Sequence, residues 1–397
     1  MKVLHVLDVS WPILRGYSMR AYYITKYQNA GGIEPIVLTS GRQYEENVAG
    51  LHEGVKYFRT PRVKKWVLHV PFIPEALEVI GLRRRIVEVA KAEGVDIIHA
   101  HSPSLWGLAA VLAGRKLKKR VIYEIRALWE DAAVDAGKMR EGGLFYEISR
   151  RLETLVAKKC SKVVAICNGI RNDLIERGVP EQRIVVVPNG IDTERFRPMK
   201  KNRDLLEKYA LNQATVFGFV GSMFNFEGLE VLIESVSKLE PSTKQKIRVV
   251  LVGEGEKFEE ISRMVKERRL EEHVFVTGKV PHDEIKEYYS IIDVLVYPRI
   301  RRRITQLVTP LKPLEAMAMG KAVIVSDVGG LVELLPSDNC GLAFKAEDAG
   351  DLAGKIEYLV SHPDRVVELG DCARREVTAT KGWDKMVKIY VDKAYTS

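Results

Sequence analysis

The sequence predicts an α/β protein of two doubly wound parallel-sheet domains, and three observations carry that prediction. Short apolar runs alternate with longer helical patterns almost from end to end, as parallel strands joined by crossover helices require. The pattern halts near Pro188 and then restarts, so it describes two sheets rather than one. The length of 397 residues suits two domains of roughly 100 to 200 residues each.

In the first half, strands are expected at 3–8 (VLHVLD), 35–39, 55–59, 96–100 (DIIHA), 121–125 (VIYEI), 162–166 and 184–187. Each is a short β-branched run bounded by turn residues. Helical periodicity fills 17–29, 76–93, 104–117, 144–159 and 168–177. Pro188, Asn189 and Gly190 then make a turn, and the aperiodic segment to Pro198 is read as a hinge. In the second half, strands at 216–220, 247–252, 273–277, 293–297 and 322–326 alternate with helices near 227–239, 256–268, 282–290 and 310–319. Beyond residue 340 the pattern is mainly helical. Its last segment, 382–395, puts Trp383, Met386, Val387 and Tyr390 on one face, which must dock on something.

Composition excludes whole classes. With 46% apolar and 29% charged residues, the chain can bury a core, and no window approaches the roughly 20 apolar residues of a membrane span. The start, MKVLHVLDVSW, enters a strand pattern without a signal-peptide profile. Cys160, Cys167, Cys340 and Cys372 lack CxxC spacing, which predicts neither a zinc site nor a disulfide framework and suits a reducing cytoplasm. The net charge of +9 is uneven: residues 1–190 hold 30 Lys/Arg against 20 Asp/Glu, the remainder 32 against 33. The excess of ten in the first half points to an anionic partner, a membrane surface or a nucleic acid.

Ligands of open parallel sheets bind at the carboxyl ends of strands, so the loops after strands hold the candidate chemistry. The strand at 293–297 is followed by Arg299, Arg301, Arg302 and Arg303, a set suited to polyphosphate. Thr309 then reads as an N-cap, Pro310 as the first helical residue and Gly320 as the stop, so a helix N-terminus joins the same anion site. Lys312 and Glu315 share one face of that helix; the lysine can neutralise phosphate and the carboxylate can accept from ribose hydroxyls. In the first half, Gly16 precedes a helix where backbone can approach a phosphate, and the missing GxGxxG argues against a dehydrogenase. His99 and His101 alternate on one strand face without further metal ligands in view, so no metal site is expected and His101 is read as lining a cleft. The segment 62–74 interleaves Arg62, Lys64 and Lys65 with Trp66 and other apolar residues, and Arg83, Arg84 and Arg85 follow, a combination suited to an anionic bilayer. No nucleic-acid recognition motif is found.

The segments DIIHAHSP (96–103), VVPNGIDTERFRP, LVGEGE (251–256), FVTGKVPHDEIKEYYSIIDVLVYP (275–298) and PLEAMAMGKAVIVSDVGGLVELL, in that order, resemble the nucleotide-sugar glycosyltransferases of family 4. The resemblance covers nearly the whole chain. It implies the GT-B fold, with an N-terminal acceptor domain (1–190), a C-terminal donor domain (191–378) and a final helix (379–397) crossing back onto the first domain. It further implies sugar transfer with retention of configuration, no cofactor, and no required metal.

Residue by residue, the resemblance places Glu315 on the donor ribose and Thr309, Pro310 and Leu311 near the phosphates. It puts Gly16 beside the diphosphate, Glu254 in the donor site, and Arg126, with Glu130 or Asp131, near the reacting sugar. The chain also departs from the family pattern. The first glutamate of the Glu-x7-Glu pair falls at Leu307, leaving Gln306 as the neighbouring polar residue. Ser222 and Glu227 stand where the family has an arginine and a lysine, so Arg299, Arg303 and Lys312 become the substitute phosphate cations. VTPLKPLEAMA and GSMFNFEGL look like a branch found beside exopolysaccharide and exosortase genes. The expectation is a cytoplasmic, membrane-peripheral enzyme passing sugar from a UDP-sugar to a lipid-linked or polysaccharide acceptor. A soluble maker of small glycosides or glucans, and a catalytically silent nucleotide-sugar-binding subunit, are its rivals.

Overall fold

The computed structural model describes residues 1–13, 16–43, 50–62, 73–281, 283–337 and 339–396. It divides into two compact units, Met1–Asn189 with Trp383–Ser397, and Gly190–Gly382. Lys64, Lys65 and Trp66 lie outside the described residues.

The first unit is built on β1 (Lys2–Leu7), β2 (Glu34–Thr39), β3 (Gly50–His52), β4 (Val55–Arg59), β5 (Ile97–His101), β6 (Arg120–Ile125), β7 (Lys162–Ala165) and β8 (Ile184–Val186). They form one sheet in the order β3-β4-β2-β1-β5-β6-β7-β8. Only β3 runs antiparallel to its neighbour among these strands. The central strands are buried on both faces, which is why they read as unbroken apolar runs. The helices are α1 (Gly16–Ala30), α2 (Ile73–Glu93), α3 (Ser104–Leu117), α4 (Trp129–Asp135), α5 (Leu144–Lys159) and α6 (Asn168–Glu176). Helices α2, α3 and α5 pack side by side.

In the second unit the strands are β9 (Thr215–Val220), β10 (Ile247–Val252), β11 (Val274–Gly278), β12 (Val294–Tyr297), β13 (Ala322–Ser326) and β14 (Leu342–Phe344), all parallel in the order β11-β10-β9-β12-β13-β14. Its helices are α7 (Arg203–Lys208), α8 (Leu229–Lys238), α9 (Pro241–Lys244), α10 (Phe258–Glu267), α11 (Ile285–Ile291), α12 (Arg303–Leu307), α13 (Lys312–Ala318), α14 (Gly329–Val332), α15 (Ala349–Ser361) and α16 (Pro363–Thr380). The chain returns through Gly382, which bridges to Ile191. It ends in α17 (Trp383–Ile389) and a π-helical turn over Tyr390–Tyr395. Trp383, Met386 and Tyr390 are buried in the first unit's core with Val3, Ile24, Ile97, Ile122 and Val164, and Trp383 stacks on Tyr23.

Two expectations are corrected. Thr309 does not cap a helix beginning at Pro310. The helix begins at Lys312 behind Leu311, with Pro313 in the first turn, where a missing N–H costs nothing; Gly320 at φ +70 follows its end. Cys340 and Cys372, read as unpaired, form a disulfide, because Cys340 just before β14 comes to 4.9 Å (Cα–Cα) from a residue of α16 that is distant in sequence. Cys160 and Cys167 are buried thiols.

Candidate active site

At the carboxyl ends of β9 and β12, three charged side chains converge. Glu227, 1% exposed, accepts from Arg299 Nε (3.2 Å) and Nη2 (3.1 Å) and from Lys312 Nζ (2.6 Å). Lys312 Nζ also donates to the Ser222 carbonyl at 3.1 Å and rides over the Phe219 ring. Arg299 lies over Phe226. Backbone makes the room: Gly221 sits at φ +146, and a Cβ there would come within 2.1 Å of Lys312 Cε. Burial would raise the Glu227 pKa, but Arg299 and Lys312 overcome it and hold the carboxyl at about 2. Burial lowers the Lys312 pKa, an effect that Glu227 opposes. The cluster carries one anion and two cations, hence a net positive charge beside the strand ends.

One turn further along α13, Glu315 accepts from the Tyr289 hydroxyl at 3.0 Å, and burial raises its pKa to about 7 against that hydrogen bond. The Tyr297 hydroxyl donates to the Lys312 carbonyl and so ties β12 to the start of α13.

The structure thus brings Ser222, Arg299 and Lys312 together around Glu227. That carboxylate, which sequence reasoning took only as a missing lysine, is their organiser. The four-arginine loop does not act as one cationic patch: Arg299 is held inward and Arg301 pairs with Asp327. Arg303 opens α12, Thr309 is buried, and Pro310 and Leu311 lead into α13. Glu254 is exposed, and its carbonyl accepts from the Met223 N–H. The Gln306 side chain accepts from Gly329 N at 2.8 Å, so it braces α12 against α14.

In the first unit, register sets His5 of β1 beside His99 of β5, and His101 opposite Glu124 of β6. His101 was expected to line a cleft; it is 1% exposed and enclosed in a polar network. Arg126, just beyond β6, donates through Nε to Glu124 Oε1 (2.8 Å) and through Nη2 to His101 Nδ1. Arg20 of α1 donates to Glu124 Oε1 (3.0 Å), to the Val187 and Pro188 carbonyls and to the Tyr390 hydroxyl. Tyr390 in turn donates to Glu124 Oε2. Burial is opposed by Arg20 and Arg126, which hold Glu124 well below the usual carboxylate range. Burial and neighbouring charge keep the three imidazoles neutral, with His5 pushed down to about 3 and His101 well below its usual value.

His5 is the third imidazole that the sequence did not bring to His99 and His101, and the three could be a metal set. Their rings instead stack, with His99 and His101 centroids 4.3 Å apart. Arg126, Gln28 and Tyr395 hold His101 Nδ1, His5 Nε2 and His99 Nδ1, and of the remaining nitrogens His5 Nδ1 and His101 Nε2 hydrogen-bond to each other at 2.9 Å.

Glu130 and Asp131, candidates for the reacting sugar, are buried in structural pairs. Glu130 meets Arg177 at 3.0 Å, and Asp131 accepts from the Tyr146 hydroxyl at 2.9 Å. Gly16 opens α1, and Arg84 is exposed on α2. The missed residues did leave a signal: His5 and Glu124 are polar side chains inside buried strands, positions that must be hydrogen-bonded.

Residues 14–195 match the model of the family described as Glycosyltransferase Family 4, and residues 201–376 match that described as Glycosyl transferases group 1. An uncharacterized glycosyltransferase of Methanocaldococcus jannaschii, MJ1069, is 24% identical over 247 residues, 62% of this chain and 61% of that protein. The phosphatidylinositol N-acetylglucosaminyltransferase GPI3 subunit of Saccharomyces cerevisiae is 20% identical over 341 residues, 83% of this chain and 69% of that protein. Among solved structures, Anabaena Alr3699/HepE in complex with UDP-glucose superposes with a TM-score of 0.76 at 16% identity, covering 99% of this chain and 98% of that one.

Proposed function

This chain belongs to the group 1, family 4 glycosyltransferases, and from that premise we propose that it moves a sugar from a UDP-sugar to a lipid-linked or polysaccharide acceptor, with retention of configuration and no metal. The observation that carries the reading is the Glu227–Arg299–Lys312 cluster, whose surplus positive charge lies beside Glu315 on α13. A diphosphate leaving group needs preorganised cations where charge develops, and Arg299 and Lys312 supply them where the family has other residues. Glu315 is positioned one turn on to accept from ribose hydroxyls. Arg126, just beyond β6 of the first unit, is assigned to the sugar, with His101 behind it as its hydrogen-bond partner. The complex of HepE with UDP-glucose supports a UDP-linked donor. The name of the GPI3 subunit supports a lipid acceptor.

A membrane-facing role is supported by two stripes of exposed side chains. On α2, Ile73, Leu77, Ile80 and Arg84 fall at helical spacing; on α5, Leu144, Ile148, Arg151 and Leu155 repeat the pattern. Apolar residues interleaved with arginines suit an anionic lipid surface. Among the described residues, no helix is long and apolar enough to cross a membrane.

A thermal-shift series with UDP, GDP, ADP and UDP-glucose tests the donor assignment, since a ligand that binds the folded state raises its melting temperature. UDP and UDP-glucose should stabilise most, and the absence of a shift with any nucleotide diphosphate refutes the reading. Sedimentation with phosphatidylglycerol vesicles, compared with phosphatidylcholine, tests the surface. Leu144→Gln with Ile148→Gln should reduce binding to the former, and a wild-type chain that ignores both vesicles moves the acceptor to the soluble class.

A further inference from the structure

The polar network of the first unit has a direction, fixed by its two ends. Arg126 can only donate, and ionised Glu124 can only accept. Since Arg126 Nη2 donates to His101 Nδ1, that nitrogen carries the lone pair and His101 Nε2 carries the proton, facing His5 Nδ1 at 2.9 Å. His5 must then donate from Nε2 to Gln28 Oε1 (2.8 Å), and Gln28 Nε2 donates to the Tyr395 hydroxyl (2.8 Å). Tyr395 donates onward to His99 Nδ1 (2.8 Å), which leaves the His99 proton on Nε2, facing Glu124 Oε2 at 3.5 Å. Glu124 closes the circuit by accepting from Arg126 Nε. The charged and titratable groups facing these imidazoles are therefore Arg126 and Glu124 at β6, Arg20 on α1, and Tyr390 and Tyr395 from the C-terminal segment.

Tyr395 is the midpoint of this circuit, and it reaches His99 across 296 residues of sequence. Its hydroxyl is the group that both accepts from Gln28 and donates to His99, so it transmits the polarity from one half of the circuit to the other. Without it, His99 loses the donor that selects its tautomer, while His101 and His5 keep theirs, set from Arg126. The Nε2 proton that His99 turns toward Glu124 is then no longer fixed, and the carboxylate that holds Arg126 Nε loses a neighbour of set polarity.

We propose that the C-terminal segment is a working part of the first unit's site: Tyr395 is a positioning residue that sets the tautomer of His99, turns its Nε2 proton toward Glu124 and so steadies the carboxylate that aims the Arg126 guanidinium. The inference rests on the assignment of Arg126 to the sugar, but its first test does not. Both stacking and volume are kept in Tyr395→Phe, which removes the hydroxyl alone. Gln28→Leu breaks the same circuit from α1 and guards against a local folding effect in the tail.

In the full chain labelled with ¹⁵N-histidine, long-range ¹H–¹⁵N spectra should show three neutral rings protonated on Nε2 and unchanged from pH 8 to pH 5.5. In either variant, His99 should shift to averaged tautomers and titrate within that window. Acceptor-free hydrolysis of UDP-glucose gives the second readout. The kcat should fall about tenfold with KM within twofold, and the pH–rate profile should gain an acidic limb, as loss of a positioned group predicts. Wild-type tautomers in both variants overturn the proposal, and so do altered tautomers with unaltered kcat and pH profile. A wild-type chain that neither binds nor hydrolyses a UDP-sugar overturns the proposed function instead, a failure the spectra distinguish because they need no substrate.

Discussion

Replacing Glu227 with glutamine keeps the shape of the second unit's cluster and removes its only anion. The folded-state pKa of about 2, against an ordinary 4.5, is worth about 3 kcal/mol to the folded chain at neutral pH. The side chain is 1% exposed, so no solvent screening discounts that figure, and it falls near the range of about 3–5 kcal/mol for breaking a buried ion pair. For a unit of this size the loss should lower its melting temperature by roughly 6–12 °C. The sign follows from the depressed pKa: the contribution is present above pH 4.5 and lost as pH falls through 2. The gap between wild type and Glu227→Gln should therefore be constant from pH 6 to 8 and shrink to about 1.4 kcal/mol at pH 3. All five tryptophans, Trp11, Trp66, Trp106, Trp129 and Trp383, belong to the first unit. Calorimetry thus follows both units while tryptophan fluorescence follows the first. A variant melting within 2 °C of wild type at pH 7, or a gap that widens on acidification, would refute the reasoning.

Four further outcomes follow from the same structure. Glu315, with its pKa raised to about 7, should hold a ribose best when ionised, so UDP affinity measured by calorimetry should rise from pH 6 to 8. Glu315→Gln should abolish that rise and cost roughly 1–3 kcal/mol at pH 8. Lys312→Met should weaken UDP by a similar amount while leaving uridine binding unchanged; equal losses for both ligands would return the lysine to a structural role. Opening the Cys340–Cys372 disulfide, which spans 32 residues, should destabilise the second unit by about 3 to 4 kcal/mol, read as a dithiothreitol-dependent shift in its melting. Buried neutral His5, with its pKa near 3, contributes stability above pH 6.5 that falls by about 1.4 kcal/mol at pH 5.5, so the tryptophan-monitored transition should move down over that interval.

The fold was legible because parallel strands buried on both faces announce themselves as apolar runs such as IRVVLV and AVIVS. The strands missed, β3 and β14, are three residues each and sit at sheet edges, too short for any period to show. The start of α13 was misplaced because two prolines, Pro310 and Pro313, both satisfy the rule for a first helical turn, and only packing chooses between them. Within the candidate site, Lys312, Arg299 and Glu315 could be picked out from residue type and spacing. Their partners could not, because Glu227 lies 85 residues from Lys312 and Tyr289 lies 26 from Glu315. In the first unit, the network depends on a tail whose apolar face was visible, through Trp383 and Met386, while the two hydroxyls it delivers were not.

The two units use the same electrostatic arrangement. Each places one buried carboxylate between two cations near its strand ends: Glu124 between Arg20 and Arg126, and Glu227 between Arg299 and Lys312. A one-to-one pair would be self-sufficient, its charge cancelled and its cations fully engaged. With two cations to one anion the carboxylate fixes their geometry and still leaves one positive charge uncompensated. Such a charge held away from water is costly by itself, so an anionic group brought to it recovers free energy that a neutral ligand cannot. Under the proposed function, this is how a glutamate in the position of a family lysine is compatible with a phosphate site: Glu227 uses up one charge to aim two. The count of arginines in the loop after β12 overstated the available cations, since Arg301 pairs with Asp327 and the cluster around Glu227 keeps a net charge of one.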